Sequence, residues 1–306
     1  MISIKQKTLS LEHKFQGKGL HTGQVANMVV KPAPEGAGIV FHRVDLGPGA
    51  YVHAIATNVS STARSTTISE GKASVSTIEH LMSALSGMGV DNALIEIDNV
   101  EVPILDGSAR PYVEAFLKGG FVEQDAAKRY ITLSREVEVR DEKTGAYIKA
   151  VPSDSPSIDL TVDFGSRILG VQHAVWNESV DYATQLAPCR TFVFFHEIEY
   201  LFQNNLVKGG DVDNAIVIVE HPVSDEQVAR LASLFNVPKL AINDNGYLNN
   251  LQLRFPDECG RHKLLDLVGD LALAGGRVNA RIEAFKPGHS INTKMAQAIC
   301  EAISEK

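Results

Sequence analysis

Short runs of alternating apolar and polar residues open the chain and give way to longer stretches of helical period. "VANMVVKP" (25–32) and "GIVFHRVD" (38–45) read as strands, separated by the turn chemistry of "PAPEGAG". "SVSTIEHLMSALSGMG" (74–89) repeats its apolar positions every three or four residues and ends in glycine, which predicts a helix. A strand, "NALIEIDN" (92–99), and a helix within "DGSARPYVEAFLKGG" (106–120) follow. The same order then recurs. Strands are predicted at 129–141, 146–152 and 157–164, a helix at about 257–274, a strand at 277–285 and a last helix at 288–303. Strands, helix, strand, helix, twice over, predict an α+β fold of two similar domains, 1–125 and 126–306. The polar stretch "VEQDAAK" (122–128) reads as the short linker between them.

Bulk properties narrow the class. A chain of 306 residues is long enough for two cores, and 44% hydrophobic with 22% charged residues is ordinary for a globular protein. A net charge of −8 argues against a general nucleic-acid binder, because phosphate attraction needs a basic surface. Cys189, Cys259 and Cys300 are odd in number and form no C-x-x-C pair, which points to a reducing compartment. "MISIKQKTLSLEHKF" lacks the apolar core of a signal peptide, and runs such as "TFVFF" and "AIVIV" are too short to span a bilayer. A cytoplasmic protein with no membrane insertion and no nucleic-acid partner is expected.

The helix containing "GRHKLLDLVGDLALAGG" (260–276) carries a conflict. Its leucines call for burial, yet His262, Asp266 and Asp270 recur every four residues on one side. An imidazole and a carboxylate four apart reach the same cation, and zinc accepts both donor types. A plain helix-face hydrogen bond fits the spacing as well. A third ligand is available in "STIEHLMSAL" (76–85), where His80 opens an apolar helix directly after Glu79. Glu79 then reaches a metal-activated water, or it closes an S-x-x-E capping box with Ser76. Local sequence alone favours the box.

Further signals are weaker one by one. His289 in "KPGHSIN" (286–292) sits on a turn before a helix, where it can act as an acid or stand as a cation beside developing negative charge. Asp270 is placed to orient that imidazole. Thr191 and Phe192 in "RTFVF" (190–194) offer a hydroxyl and an aromatic ring, and Lys263 a cation for a phosphate. The pair Gly209–Gly210 precedes the apolar run "AIVIV". "GKGLHTG" (17–23) lacks the order of a P-loop.

Taken together, "GKGLHTG", "STIEHLMSAL", "PILDGSARPYVEAF", "RTFVF", "KGGDVDNAIV", "RHKLLDLVGDLAL" and "GHSINTK" resemble one family. It is the UDP-3-O-acyl-N-acetylglucosamine deacetylases, the zinc amidases of lipid A biosynthesis. The resemblance implies helices packed between two β-sheets, an inserted element in each half, and a site where the halves meet. It implies His80, His262 and Asp266 as ligands of one Zn2+, with Fe2+ as the alternative in the cell. Glu79 would be the general base, His289 the acid for the leaving amine, Asp270 its orienting carboxylate, and Thr191 a donor to the oxyanion. Lys263 and Phe192 would contact the substrate, and an insert near 200–219, with Gly209 and Gly210, would wall an apolar passage for the acyl chain. Some members of the family are fused to a hydroxyacyl carrier-protein dehydratase, which leaves open such a domain beyond residue 306. Two other readings stay open on the residues: an amidase for another acylated amino sugar, and a binding protein whose His and Asp residues are structural.

Overall fold

A computed structural model describes residues 4–203 and 208–304. Strands form where apolar side chains recur at every second position. In Val25–Pro32, Ala26, Met28 and Val30 face inward while their neighbours are more exposed. This strand belongs to a five-stranded sheet in the order His13–Lys18, Val25–Pro32, Ala93–Ile97, Ile39–Arg43, Tyr51–His53. Its neighbours are antiparallel except Ala93–Ile97 with Ile39–Arg43, which run parallel. A second sheet has the order Val137–Asp141, Ala146–Pro152, Arg277–Phe285, Ser157–Asp163, Val171–Asn177. Tyr130–Thr132 adds to it, parallel to the start of Arg277–Phe285.

Counted within its half, each sheet therefore runs first, second, fifth, third, fourth, with the fifth and third strands parallel. The helices are α1 (Glu79–Gly87), α2 (Arg110–Gly119), α3 (Tyr182–Gln185), α4 (Phe195–Gln203), α5 (Asp225–Leu234), α6 (Glu258–Leu271) and α7 (His289–Ser304). In each half one helix precedes the fifth strand (α1, α6) and one follows it (α2, α7). The fold is α+β. One continuous apolar cluster takes side chains from both sheets and from the helices α1, α2, α6 and α7.

α1 and α6 lie against each other at the centre. The Ser83 hydroxyl donates to the Leu265 carbonyl at 2.7 Å. A Cβ on Gly269 would stand 2.1 Å from the Glu79 carbonyl oxygen, so only glycine permits this approach. That contact brings the first turn of α1 beside the α6 face that carries Asp266 and Asp270.

Each half also carries an insert between its fourth strand and the following helix. The first holds a three-stranded sheet, Val59–Ser61, Thr67–Glu70 and Ala73–Val75. The second holds α3 to α5 and a parallel pair, Phe192–Phe194 with Ile216–Ile218, around small apolar clusters of its own.

Two expectations are corrected. The stretch 122–128 is no linker: Phe121–Ala127 is a strand, antiparallel to Lys5–Leu9. Its polar composition reflects an exposed two-stranded ribbon whose backbone pairing, invisible in side-chain polarity, holds it in place. The helix predicted from residue 74 begins only at Glu79, because 73–75 is strand and Thr77 adopts a left-handed φ of 58° that no helix tolerates. Part of the predicted 200–219 insert, residues 204–207, lies outside the described residues.

Candidate active site

The 3.6-residue period of α6 stacks His262 under Asp266, and both side chains are 2% exposed. His262 Nε2 lies 3.4 Å from Asp266 Oδ1, and His80 Nε2, from the first turn of α1, lies 3.6 Å from the same oxygen. One candidate ligand atom from each of the three residues lies within 4.8 Å of the others. A tetrahedral zinc site with bonds of about 2.1 Å separates neighbouring ligand atoms by about 3.4 Å. The two distances to Asp266 therefore already suit a shared ion.

Hydrogen bonding supports the same arrangement. Asp266 Oδ1 is buried and has no hydrogen-bond partner among the described residues, a costly condition for a carboxylate oxygen unless a cation takes the place. Its other oxygen accepts from Lys263 Nζ at 3.1 Å. His262 Nδ1 lies 3.0 Å from the Cys189 carbonyl. A carbonyl only accepts, so the proton sits on Nδ1 and the Nε2 lone pair faces Asp266. Burial pushes the His262 imidazole down to about 3, which keeps it neutral and ligating at pH 7. Burial works against the ionised form of Asp266, but the neighbouring cations, Lys263 at 3.1 Å and the His289 imidazolium, hold the carboxyl well below its usual range. Two imidazole nitrogens and one ionised oxygen are a donor set that fits a divalent metal.

Beside this triad stands a carboxylate–imidazole pair of opposite character. Glu79 is buried, with Oε2 accepting from the Thr66 backbone N–H at 3.0 Å and Oε1 3.9 Å from His289 Nε2. Burial raises its pKa, against the opposing pull of His289 and His80. His289 opens α7, and its Nδ1 lies 3.0 Å from Asp270 Oδ2. Asp270 is fully occupied: Thr66 Oγ1 donates to Oδ1 at 2.5 Å, and Asn292 Nδ2 donates to Oδ2 at 2.9 Å. Burial disfavours the His289 cation, yet Asp270 and Glu79 together outweigh it and raise its pKa to about 9. The site thus holds a carboxylate that takes a proton readily and an imidazolium that carries one at neutral pH.

The capping box does not form. Ser76 Oγ donates to the Val100 carbonyl at 3.3 Å, and the α1 cap residue is Ile78 with no side-chain cap bond. Glu79 faces Thr66 and His289.

Lys263 and Phe192 flank the triad, with Lys263 Nζ 5.7 Å from the Phe192 ring centre and that ring 6.4 Å from His262. Thr191 and Phe192 also line a cavity of about 120 Å³, closed by Ile198, Leu201, Gly210 and Val217 from the second insert. Gly209 packs against the opposite loop instead: its N–H donates to the Leu20 carbonyl at 2.9 Å, and a Cβ there would meet the Gly19 oxygen at 2.0 Å. That loop is the "GLHTG" stretch (19–23), held by the buried carboxylate of Glu101, which accepts from the His21 and Thr22 backbone N–H groups at 2.9 and 2.8 Å and from Thr77 Oγ1 at 2.9 Å.

Thr66, Asn292 and Glu101 escaped sequence reasoning. Asn292 stands three residues after His289 on the same helical face, a spacing that could have raised it. Thr66 lies in the featureless polar run "STARSTTIS", and nothing local distinguishes it.

A family model for UDP-3-O-acyl N-acetylglycosamine deacetylase matches residues 6–235 and 228–301. The chain belongs to this family. Among similar proteins is a bifunctional enzyme LpxC/FabZ of Porphyromonas gingivalis, 44% identical over 301 residues, covering 98% of this chain and 65% of the relative. A UDP-3-O-acyl-N-acetylglucosamine deacetylase of Saccharophagus degradans is 40% identical over 295 residues, covering 95% of this chain and 88% of the relative. One of Geobacter sp. is 41% identical over 293 residues, with 95% and 88% covered. The chain thus spans about two thirds of the bifunctional family members, 64–65% of their length, and most of the shorter ones. Among the described residues no helix is long and apolar enough to cross a membrane.

Proposed function

We propose that the chain hydrolyses the N-acetyl group of UDP-3-O-acyl-N-acetylglucosamine, releasing acetate and the free amine, the committed step of lipid A biosynthesis. The observation that carries this reading is the unpartnered, buried Asp266 Oδ1 at the meeting point of His80 and His262, beside the Glu79–His289 pair. Membership of the deacetylase family supports it.

His80, His262 and Asp266 hold a Zn2+, with Fe2+ as the alternative in the cell. When bound, the ion supplies Lewis-acid polarisation of the acetamide carbonyl and acidifies the attacking water. Glu79, whose pKa burial raises, accepts the proton of that water as its oxygen bonds to the carbonyl carbon. Thr191 donates to the developing oxyanion. His289 then gives its proton to the nitrogen as the carbon–nitrogen bond breaks, so acetate and a neutral amine part. Asp270 fixes the His289 ring through Nδ1 and leaves Nε2 on the side of Glu79. Lys263 and Phe192 meet the sugar and its phosphate, and the cavity beyond Phe192, with Gly210 on its wall and Gly209 fastening that turn to the 19–23 loop, receives the acyl chain. We also read the halves 1–125 and 126–306 as two domains, on the strength of their shared strand order, and the enzyme as a cytoplasmic one acting on a small-molecule substrate.

Metal analysis paired with a deacetylation assay on the UDP-linked substrate tests this. Purified protein should contain about one ion per chain. His262→Ala should lose the ion and at least roughly a thousandfold in turnover, several kcal/mol of transition-state stabilisation. Turnover that survives complete chelation would refute the scheme.

A further inference from the structure

A cavity of about 340 Å³ lies away from this site. Glu79 and His80 stand at the start of α1, whereas the cavity is lined by Met82, Leu85 and Ser86 towards its end. From α6 it takes Val268 and Leu271, past the ligand pair. Glycines in the left-handed region, Gly89 and Gly275, follow the two central helices, and both line the cavity.

Its walls have two characters. One is apolar: Trp176, Ile158 and Ile282 form a row across three neighbouring strands, since Ile158 pairs with Trp176 on one side and with Ile282 on the other. The other is cationic, with Lys128, Arg129 and Arg277 on the lining. Asp91 neutralises Lys128 at 2.6 Å, and Glu178 takes one nitrogen of Arg277 at 3.1 Å. Arg129 has no ion pair among the described residues. The Arg277 guanidinium lies 5.4 Å from the Trp176 ring, and Arg277 Nε and Trp176 Nε1 are both buried donors without an acceptor among the described residues. Neighbouring orphan donors, a spare cation and an apolar row match a ligand with an anionic acceptor at one end and a hydrocarbon at the other.

We propose that this cavity is a second binding site, for a long-chain carboxylate whose head meets Arg277, Trp176 Nε1 and Arg129 and whose chain lies along Trp176, Ile158 and Ile282. It is separate from the acyl-chain cavity beside Phe192 and does not depend on the assigned activity.

Trp176 is the chain's single tryptophan, so its fluorescence reports on this cavity alone. Titrating the metal-loaded protein with bromoundecanoate should quench that emission by contact, saturably. The alcohol of the same length should need roughly tenfold more, the charge-assisted share of the binding energy. Arg277→Gln and the exposed Arg129→Gln should each weaken quenching by the acid, not by the alcohol, with deacetylation unchanged. Absence of saturable quenching, equal quenching by acid and alcohol, or indifference to both substitutions would each overturn the proposal. Arg129→Gln keeps the test open should Arg277→Gln fold poorly.

Discussion

The two halves of the molecule use one scaffold for two purposes. In the first sheet Ala93 pairs with Pro32, and in the second Ala280 pairs with Pro152, each at the same point of the common strand order. Glu79 stands fourteen residues before Ala93, and Asp266 fourteen before Ala280. A carboxylate therefore occupies the same post in both halves, fully buried on the central helix. Their surroundings separate them. Asp266 has two imidazoles and Lys263 around it and is held ionised, whereas Glu79 has a backbone N–H and a more distant imidazole, and burial raises its pKa. Environments that push two like groups apart are how one fold obtains both a ligand and a base. The inserts differ as the posts do: a small sheet in the first half, and a larger body with its own apolar clusters in the second.

The comparison breaks most severely at Glu79. Glu79→Gln keeps the size and the contact with the Thr66 N–H but cannot accept a proton. Turnover should fall by about 10²–10⁴-fold with metal content unchanged, because the ligand post is untouched. Asp266→Asn should instead lose the metal. If Glu79→Gln released the ion and Asp266→Asn retained it, the two posts would have been assigned the wrong way round.

A finer test separates the halves by pH. Turnover should rise with pH as Glu79 ionises above the usual carboxylate value and fall as His289 loses its proton near 9. Asp270→Asn removes the strongest support for the His289 cation. The basic limb should then move to lower pH, towards the ordinary imidazole value of about 6.5, while the acidic limb stays. Stability follows the same direction. A folded pKa above the unfolded one stabilises fully below about pH 6.5, and this contribution disappears as pH rises through about 9. In the Asn variant that loss with rising pH should shrink. A basic limb left near 9 would assign the acid elsewhere.

How much of this was legible follows the reach of each signal. The repeated order of strands and helices could be read because period two and period 3.6 are local, and Arg277–Phe285 is bounded as its alternation predicts. His262 and Asp266 were visible as a pair because four residues make one helical turn. Their meeting with His80 was not visible from spacing, since it depends on Gly269 letting α1 approach α6. The capping box was a sound local reading that lost to tertiary structure: the left-handed Thr77 delays the helix, and Glu79 finds Thr66 instead. The ribbon at 121–127 reads as a linker because pairing between exposed backbones leaves no apolar trace.

The smallest expected effect lies at Thr66, which bonds both the base Glu79 and the carboxylate Asp270 that orients His289. Its backbone N–H serves Glu79 and its hydroxyl serves Asp270, so a side-chain change affects one and spares the other. Thr66→Val keeps the shape and the N–H but leaves Asp270 Oδ1 buried without a donor. That should cost about 1–3 kcal/mol of stability, read from denaturant midpoints at constant slope. Turnover should fall only several-fold, roughly 1 kcal/mol or less in the barrier, because Asp270 still holds His289 through its other oxygen. Thr66→Ser, which restores the hydroxyl, should recover most of both. A loss as large as that of Glu79→Gln would mean that Thr66 itself meets the reacting atoms, and the division of labour between the halves would have to be redrawn around the first insert.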